Sequence, residues 1–392
     1  MNCYARIITV GKPTITTLFS GIGGCDLGAI AAGFEPCESV EYDPQLAELH
    51  MANIGGKCHV INILDCDPFK FERPTVLHAS PVCKSYSTAN PNKGEKQLDI
   101  DCARKVAEFI QVLQPPIFTL ENVESYRRTH DKNGRKTAFG YIVEMLYSQG
   151  YWLNYQVLNA ADFGVPQSRR RLILIAVKGG FIPALPLPKK HIGWYEAIKD
   201  KVHDLPDSQL ADWQIRALPN EIRDSLLIPT GNTSFAVKEP VEPSFTVTSA
   251  HGSHNVKAIL IENTGARSDR PLRTRAADEL IWTLRAMGQD GHYHRADALL
   301  IHPTDQRTMP VIKASDPAFT LTSNQGGNHI KALLENAKIK ALDIACLARL
   351  QGFPDDYKWS GKKSLDGKGL GNSVPPPMYG KILQALYPIE TA

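Results

Sequence analysis

The chain has 392 residues, 43% of them hydrophobic, enough to bury full cores and to be expected to divide into two domains. Its formal net charge of +3 leaves no bulk charge to attract a polyanion, so any basic surface has to be local. Eight cysteines without a C-x-x-C pair argue against a zinc site or a secreted disulfide framework. There is no signal core and no apolar run of membrane length, so a soluble intracellular protein with reduced thiols and no metal is expected.

Residues 15–19 read as a strand, Ser20-Gly21-Ile22-Gly23-Gly24 as a turn, and the stretch through Ala32 as a helix stopped by Gly33. Residues 38–43 give a second strand ending in acids, followed by a helix from Pro44 to about Asn53. Such a βαβ unit suits a nucleoside-bearing cofactor: the glycine turn admits close approach, and an acid at the next strand end takes ribose hydroxyls. The spacing fits G-x-G-x-x-G poorly and does not favour NAD.

Thr75-Val76-Leu77 is a short buried-strand run, ended by Pro81, and places Cys83 on the loop beyond. Taken alone, Cys83 would more often be a packed thiol, and the rest of the chain reverses that. Ile117-Phe118-Thr119-Leu120 is a second such run, and it ends on Glu121. One strand end then carries a soft nucleophile and another an acid. Residues 103–113 and 139–146 are amphipathic helices, and residues 172–177 form an apolar strand preceded by Arg169, Arg170 and Arg171.

Residues 179–188, rich in glycine and proline, mark a domain boundary. Beyond it, similar segments start at Phe245, Trp282 and Phe319, 37 residues apart, each followed by a polar loop and a strand, at 256–261, 298–301 and 330–334. These are read as three hairpin-like units, whose alternative is a plain β-solenoid scaffold. Arg267, Arg270, Arg273 and Arg275 in the first unit suit phosphate contact. Near the end, residues 341–350 are helical with Asp343 as cap. The segment 369–377 leads to a final apolar helix, 378–386, expected to dock back on the first domain.

In order, these pieces resemble the DNA cytosine-5 methyltransferase family across nearly the whole chain. The carrying motifs are residues 18–24, Ser80-Pro81-Val82-Cys83, Glu121-Asn122-Val123, Gln167 with Arg169 and Arg171, Arg349 with residues 351–354, and Gly371-Asn372-Ser373-Val374. The chain departs from the family at Thr17 (usually Asp), Val82 (Pro), Lys84 (Gln), Asn62 (Asp) and Cys346 (Glu).

The resemblance implies a Rossmann-like S-adenosylmethionine-dependent α/β domain over residues 1–185 and 370–392. It also implies a smaller β-rich target-recognition domain over 186–369, with the repeats at about 225–334. The cofactor residues implied are Phe19, Gly21, Gly23, Gly24, Glu41, Tyr42, Asn62, Ile63, Asn372 and Ser373, with Asp65 and Asp67 as alternatives to Asn62 for the adenine. The catalytic residues implied are Cys83, Glu121, Arg171 and Arg169. The thiolate attacks C6 so that C5 becomes nucleophilic, the acid bonds N3 and the amine, and arginine holds O2. The base must be flipped out of its duplex. DNA contacts are expected from Lys84, Ser87, the four arginines at 267–275, Gln289, Arg295, Asn324 and Gln325, with the loops 251–255, 289–295 and 324–329 reading sequence.

Double-stranded DNA is thus the expected partner of a monomer located in the cytoplasm at the nucleoid, with a cognate restriction endonuclease acting separately and no membrane. The competing readings are an RNA cytosine-5 methyltransferase, a non-catalytic relative that binds DNA or cofactor, and a mononucleotide pyrimidine C5 enzyme.

Overall fold

The computed structural model describes residues 11–81, 95–185, 191–208, 317–318 and 340–388, and between 284 and 339 otherwise the backbone of short strands alone. The described residues of Met1–Ile192 and Leu347–Ala392 make one compact unit, and those of Gly193–Phe319 and Gly327–Cys346 a second.

The first unit begins with β1 (Thr14–Leu18), α1 (Gly24–Ala31), β2 (Glu35–Glu41), α2 (Pro44–Ile54) and β3 (Lys57–Val60). It continues with β4 (Val76–Ala79), α3 (Gln97–Leu113), β5 (Ile117–Asn122), α4 (Ala138–Ser148), β6 (Tyr151–Asn159) and β7 (Arg170–Lys178). Local chemistry sets the helix starts. Asp43 caps α2 by accepting from Gln45 N and Leu46 N, with Pro44 at the first helical position, and Thr137 Oγ1 caps α4 by accepting from Gly140 N. Asp43, read from sequence as the end of β2, is therefore the helix cap instead. β3 and β6 were not expected: β3 is a four-residue, partly buried strand, and β6 alternates apolar and polar over residues 153–157 in place of a long apolar run.

The seven strands lie in the order β3-β2-β1-β4-β5-β7-β6. All pairings are parallel except those of β7, which runs antiparallel to β5 and to β6. β4 and β5 are wholly buried because both faces are covered. On one face Leu18, Leu77, Phe118 and Leu174 pack against Val106, Phe109 and Ile110 of α3 and Phe139 and Ile142 of α4. On the other, Ile15, Val76 and Ile117 meet α1 and the last helix. Burying each such large side chain contributes about 1.5–3 kcal/mol.

The strand order reverses between β1 and β4. In open α/β sheets that switch point leaves a crevice beyond the carboxyl ends of the strands, where ligands sit. β7 runs the other way, so its amino-terminal arginines reach this same edge.

The second unit holds α5 (Trp194–Val202), a hairpin of β8 (Leu284–Met287) and β9 (Tyr293–Ala296), and a sheet ordered β11-β10-β12-β13. These strands are β10 (Ala298–Ile301), β11 (Val311–Lys313), β12 (Lys331–Leu334) and β13 (Ile339–Ala341), all paired antiparallel. β10 and β12 are two of the three strands expected after the repeat loops; the third, at 256–261, lies outside the described residues. Arg295, expected in a loop, is in β9 opposite Arg285, because the polar segment after Trp282 closes into its own hairpin.

The chain re-enters the first unit within α6 (Ile344–Leu350), capped by Asp343 as expected, through the Cys346 N–H. It ends with α7 (Lys363–Asn372) and α8 (Pro376–Leu386). The glycines of 369–371, expected in a loop, form the last turn of α7. α8 does dock back: a Cβ on Gly380 would stand 2.8 Å from the Gly28 carbonyl oxygen of α1.

Candidate active site

Beyond β1 the backbone turns at Phe19 with φ 60°, followed by Gly21 and Gly23 at 54° and 84°. A non-glycine residue in this region is strained by about 1–3 kcal/mol and persists only where the surroundings hold it. A Cβ at Gly23 would meet Ile54 Cγ1 at 2.6 Å, whereas at Gly21 nothing lies within 4 Å. The turn is thus packed at one end and open at the other.

Glu41, at the end of β2, closes that turn. Its Oε2 accepts from Gly21 N and its Oε1 from Asp43 N, each at 2.9 Å. Burial pushes its carboxyl above the usual range, opposed by those two N–H groups. Each oxygen keeps a lone pair for a ribose hydroxyl. The Ser20 hydroxyl is buried with no partner among the described residues, as expected of a wall meant for a polar ligand.

Tyr42 is exposed, and Ile63 is buried at the start of a short turn. Asn62 spends its side-chain oxygen capping that turn at Leu64 N (3.1 Å), and Asp67 caps the next one at Phe69 N (3.1 Å). Asp65 is exposed and caps neither. Asn372 is exposed at the end of α7. Ser373 is buried, close enough to Gly24 that a Cβ there would collide with it.

Around the β4 and β5 ends two of the residues expected to be catalytic, Glu121 and Arg171, come together. Arg171 Nε stands 3.0 Å from Glu121 Oε1, and both side chains are largely buried. Among the described residues Glu121 Oε1 nevertheless has no hydrogen-bond donor. An acceptor left so in a buried site costs about 1–3 kcal/mol or more, which a bound donor would recover. Asn122 Nδ2 donates to the Pro81 carbonyl at 3.0 Å, tying the β5 end to the start of the segment that carries Cys83. Arg169 goes elsewhere: only 1% exposed, it donates from Nη2 to the Gly371 carbonyl at 3.0 Å. Cys83 itself lies outside the described residues, as do Lys84, Ser87, Arg267, Arg270, Arg273, Arg275, Gln289, Asn324 and Gln325.

Two buried networks behind this edge carry no sequence signature. Thr17 donates to Asp26 Oδ1 (3.1 Å), and His50 Nε2 meets Asp26 Oδ2 at 3.0 Å, so a buried carboxylate faces Thr17 from the first turn of α1, nine residues on. His78 Nδ1 lies 2.8 Å from Thr119 Oγ1, and its Nε2 lies 2.9 Å from Ser80 Oγ and 3.0 Å from Cys25 Sγ. Thr119 Oγ1 in turn meets the Tyr379 hydroxyl at 2.8 Å. Burial lowers His78 to about 3, so the ring is neutral. Among the described residues no cluster of three or more His, Cys, Asp or Glu could hold a metal ion. No helix among them is long and apolar enough to cross a membrane.

Comparison with known proteins bears on this arrangement. The model of a family described as C-5 cytosine-specific DNA methylase matches residues 14–387. The chain is similar to Type II methyltransferase M1.HphI of Haemophilus parahaemolyticus, 26% identical over 96% of this chain and 87% of that one. It is also similar to Type II methyltransferase M.XorII of Xanthomonas oryzae pv. oryzae, 25% identical over 96% and 85%. Among solved structures, Entamoeba histolytica methyltransferase EhMeth shares the fold with a TM-score of 0.52, at 14% identity over 96% of this chain and 98% of that one.

Proposed function

The chain belongs to the C-5 cytosine-specific DNA methylase family, and from that premise we propose that it methylates cytosine C5 within one specific double-stranded DNA sequence. The observation that carries the reading is the buried Glu121–Arg171 pair, one oxygen of which lacks a hydrogen-bond donor, beside the tether from Asn122 to Pro81.

Cys83, two residues beyond Pro81, adds as a thiolate to C6 of a flipped-out cytosine, and the positive surroundings from Lys84 and Arg171 favour its ionised form. Glu121 bonds N3 and the exocyclic amine, and Arg171 holds O2 as negative charge builds there. Arg169 is a positioning residue, since its guanidinium is committed to Gly371. After transfer the C5 proton leaves and Cys83 is eliminated. The flip costs a few kcal/mol, repaid by these contacts.

S-adenosyl-L-methionine, when bound, supplies the methyl group. The residues present fit it: Phe19, Gly21, Gly23 and Gly24 give a turn open at Gly21, Glu41 is fixed to meet a ribose, and the partnerless Ser20 hydroxyl lines the wall. Asn372, Ser373, Tyr42, Ile63 and one of Asn62, Asp65 and Asp67 complete the set. Target recognition falls to residues of the second unit. The enzyme works as a cytoplasmic monomer on DNA, alongside a separate cognate endonuclease, as the Type II names of its relatives suggest.

Bisulfite sequencing of DNA from cells expressing the chain tests this. Protected cytosines confined to one short motif, and absent with Cys83→Ser, are expected. A conversion pattern identical to that of cells lacking the gene would refute the proposal.

A further inference from the structure

The segment between β5 and α4 plays no part in the chemistry above, yet it is built with care. Residues 124–137 hold five lysines and arginines against two acids, a surplus equal to the whole chain's +3. Residues 129–137 fold back as a hairpin: Thr137 N donates to Thr129 O at 3.0 Å, and His130 bridges Lys136 in antiparallel fashion. Asp131 pins the tip. Its Oδ1 accepts from Asn133 N (2.8 Å) and Arg135 N (2.9 Å), and its Oδ2 from Arg135 Nε (2.8 Å). The Arg135 backbone N–H, first among these, holds Asp131 below the ordinary carboxylate range, so the pin stays ionised.

The pin uses one acid, and the other, Glu124, is shared by Arg127 and Arg170 at 3.6 and 3.4 Å. Arg128 and Lys132 are then left exposed, with no acidic partner among the described residues.

The hairpin's place is fixed by two tethers. Before it, Asn122 donates to the Pro81 carbonyl; after it, the Ala138 N–H donates to Glu95 Oε1 at 2.6 Å. Pro81 and Glu95 are the described residues on either side of the segment carrying Cys83. The hairpin is thus bracketed by contacts to both ends of that segment, and it springs from the strand that presents Glu121.

We infer that Arg128 and Lys132 form a sequence-independent contact with the DNA phosphates flanking the flipped cytosine. This rests on the function proposed above. A flipped nucleotide leaves its backbone phosphates at the rim of the catalytic edge, and exposed cations without acidic partners on a stiff hairpin meet them at little ordering cost. Arg127, Arg135, Lys136 and Arg170 contribute less, since Glu124, Asp131 and Glu144 engage them.

The test is the double variant Arg128→Gln/Lys132→Gln, with duplex binding followed by anisotropy from about 50 to 200 mM salt. One duplex carries the motif mapped by bisulfite sequencing and the other lacks it. The expected result is a loss of tens of fold on both duplexes near 0.1 M salt, with a salt slope shallower by about 2 and calorimetric S-adenosylmethionine affinity unchanged. A slope and affinity equal to wild type, in a wild type that methylates DNA, would overturn the inference alone. A loss confined to the cognate duplex would also overturn it, since phosphate contact carries no sequence information. A wild type that neither binds nor methylates duplex DNA would overturn the proposed function and this inference together.

Discussion

Glu121 is the residue on which the proposed chemistry turns, and its surroundings are what suit it to that role. Buried at the end of β5, it faces the Arg171 charge at 3.0 Å while Oε1 goes without a hydrogen-bond donor. Glu121→Gln keeps the shape and deletes the charge, so the fold should survive while single-turnover methyl transfer falls by about 10² or more. A variant within threefold of wild type would remove Glu121 from the mechanism. His78 offers a test of the buried network behind that edge. Burial lowers it to about 3 from 6.5, so below pH 6.5 the unfolded chain binds a proton that the folded one refuses. Its stabilising contribution is therefore present above pH 6.5 and lost as pH falls towards 3, by about 1.4 kcal/mol per pH unit. Between pH 7 and 5, denaturant titrations should show wild type losing about 2 kcal/mol more than His78→Gln. Parallel pH curves would show that the histidine is not held neutral. Legibility was uneven at this scale. The glutamate, the glycine turn and the acid after β2 announce themselves by type and spacing. That Arg171 rather than Arg169 faces Glu121 does not, because Arg169 is claimed by a carbonyl 202 residues away.

Among elements, α1 and α8 cross at two glycines. A Cβ on Gly28 would lie 2.5 Å from the Pro376 carbonyl oxygen and 3.0 Å from Gly380 N, and both neighbours are backbone. Helix propensity would reward Gly28→Ala by up to about 1 kcal/mol, but the clash cannot be relieved by a side chain turning away. The helices must move apart, and α8 carries Tyr379 into the His78 network. A net loss of about 1–3 kcal/mol is expected, read as a lower denaturation midpoint. An unchanged or raised midpoint would mean that the crossing is loose. The amphipathic helices and apolar strands were legible from their periodicity. α7 was not, because Gly367, Gly369 and Gly371 each weaken a helix. Tertiary packing overrides that: a Cβ on Gly369 would stand 2.5 Å from Ile22 Cγ2, so the helix passes only as glycine. β3 is too short to show a pattern, whereas β6 does carry one, since Leu153-Asn154-Tyr155-Gln156-Val157 alternates apolar and polar as a half-exposed strand does.

At the scale of the molecule, the sheet order gathers what the sequence scatters. Glu41, Pro81, Glu121 and Arg171 belong to four strand ends, and the β1/β4 switch point with the reversed β7 puts all four at one edge. The tail then returns to seal it, with Tyr357 donating to the Ile22 carbonyl at 2.7 Å and Lys368 bonded to Asp43 at 2.6 Å. The order of motifs along the chain implied this gathering through family resemblance; composition alone could not, since partners 335 residues apart share no local signal. In the proposed function this edge serves a covalent attack by Cys83. A duplex carrying 5-fluorocytosine in the methylated motif measures it most directly, because fluorine cannot leave C5 as a proton does. With S-adenosylmethionine present, wild type should form a denaturation-resistant adduct whose mass maps to Cys83, and Cys83→Ser should form none. An adduct that persists in Cys83→Ser, or maps to another residue, would contradict it.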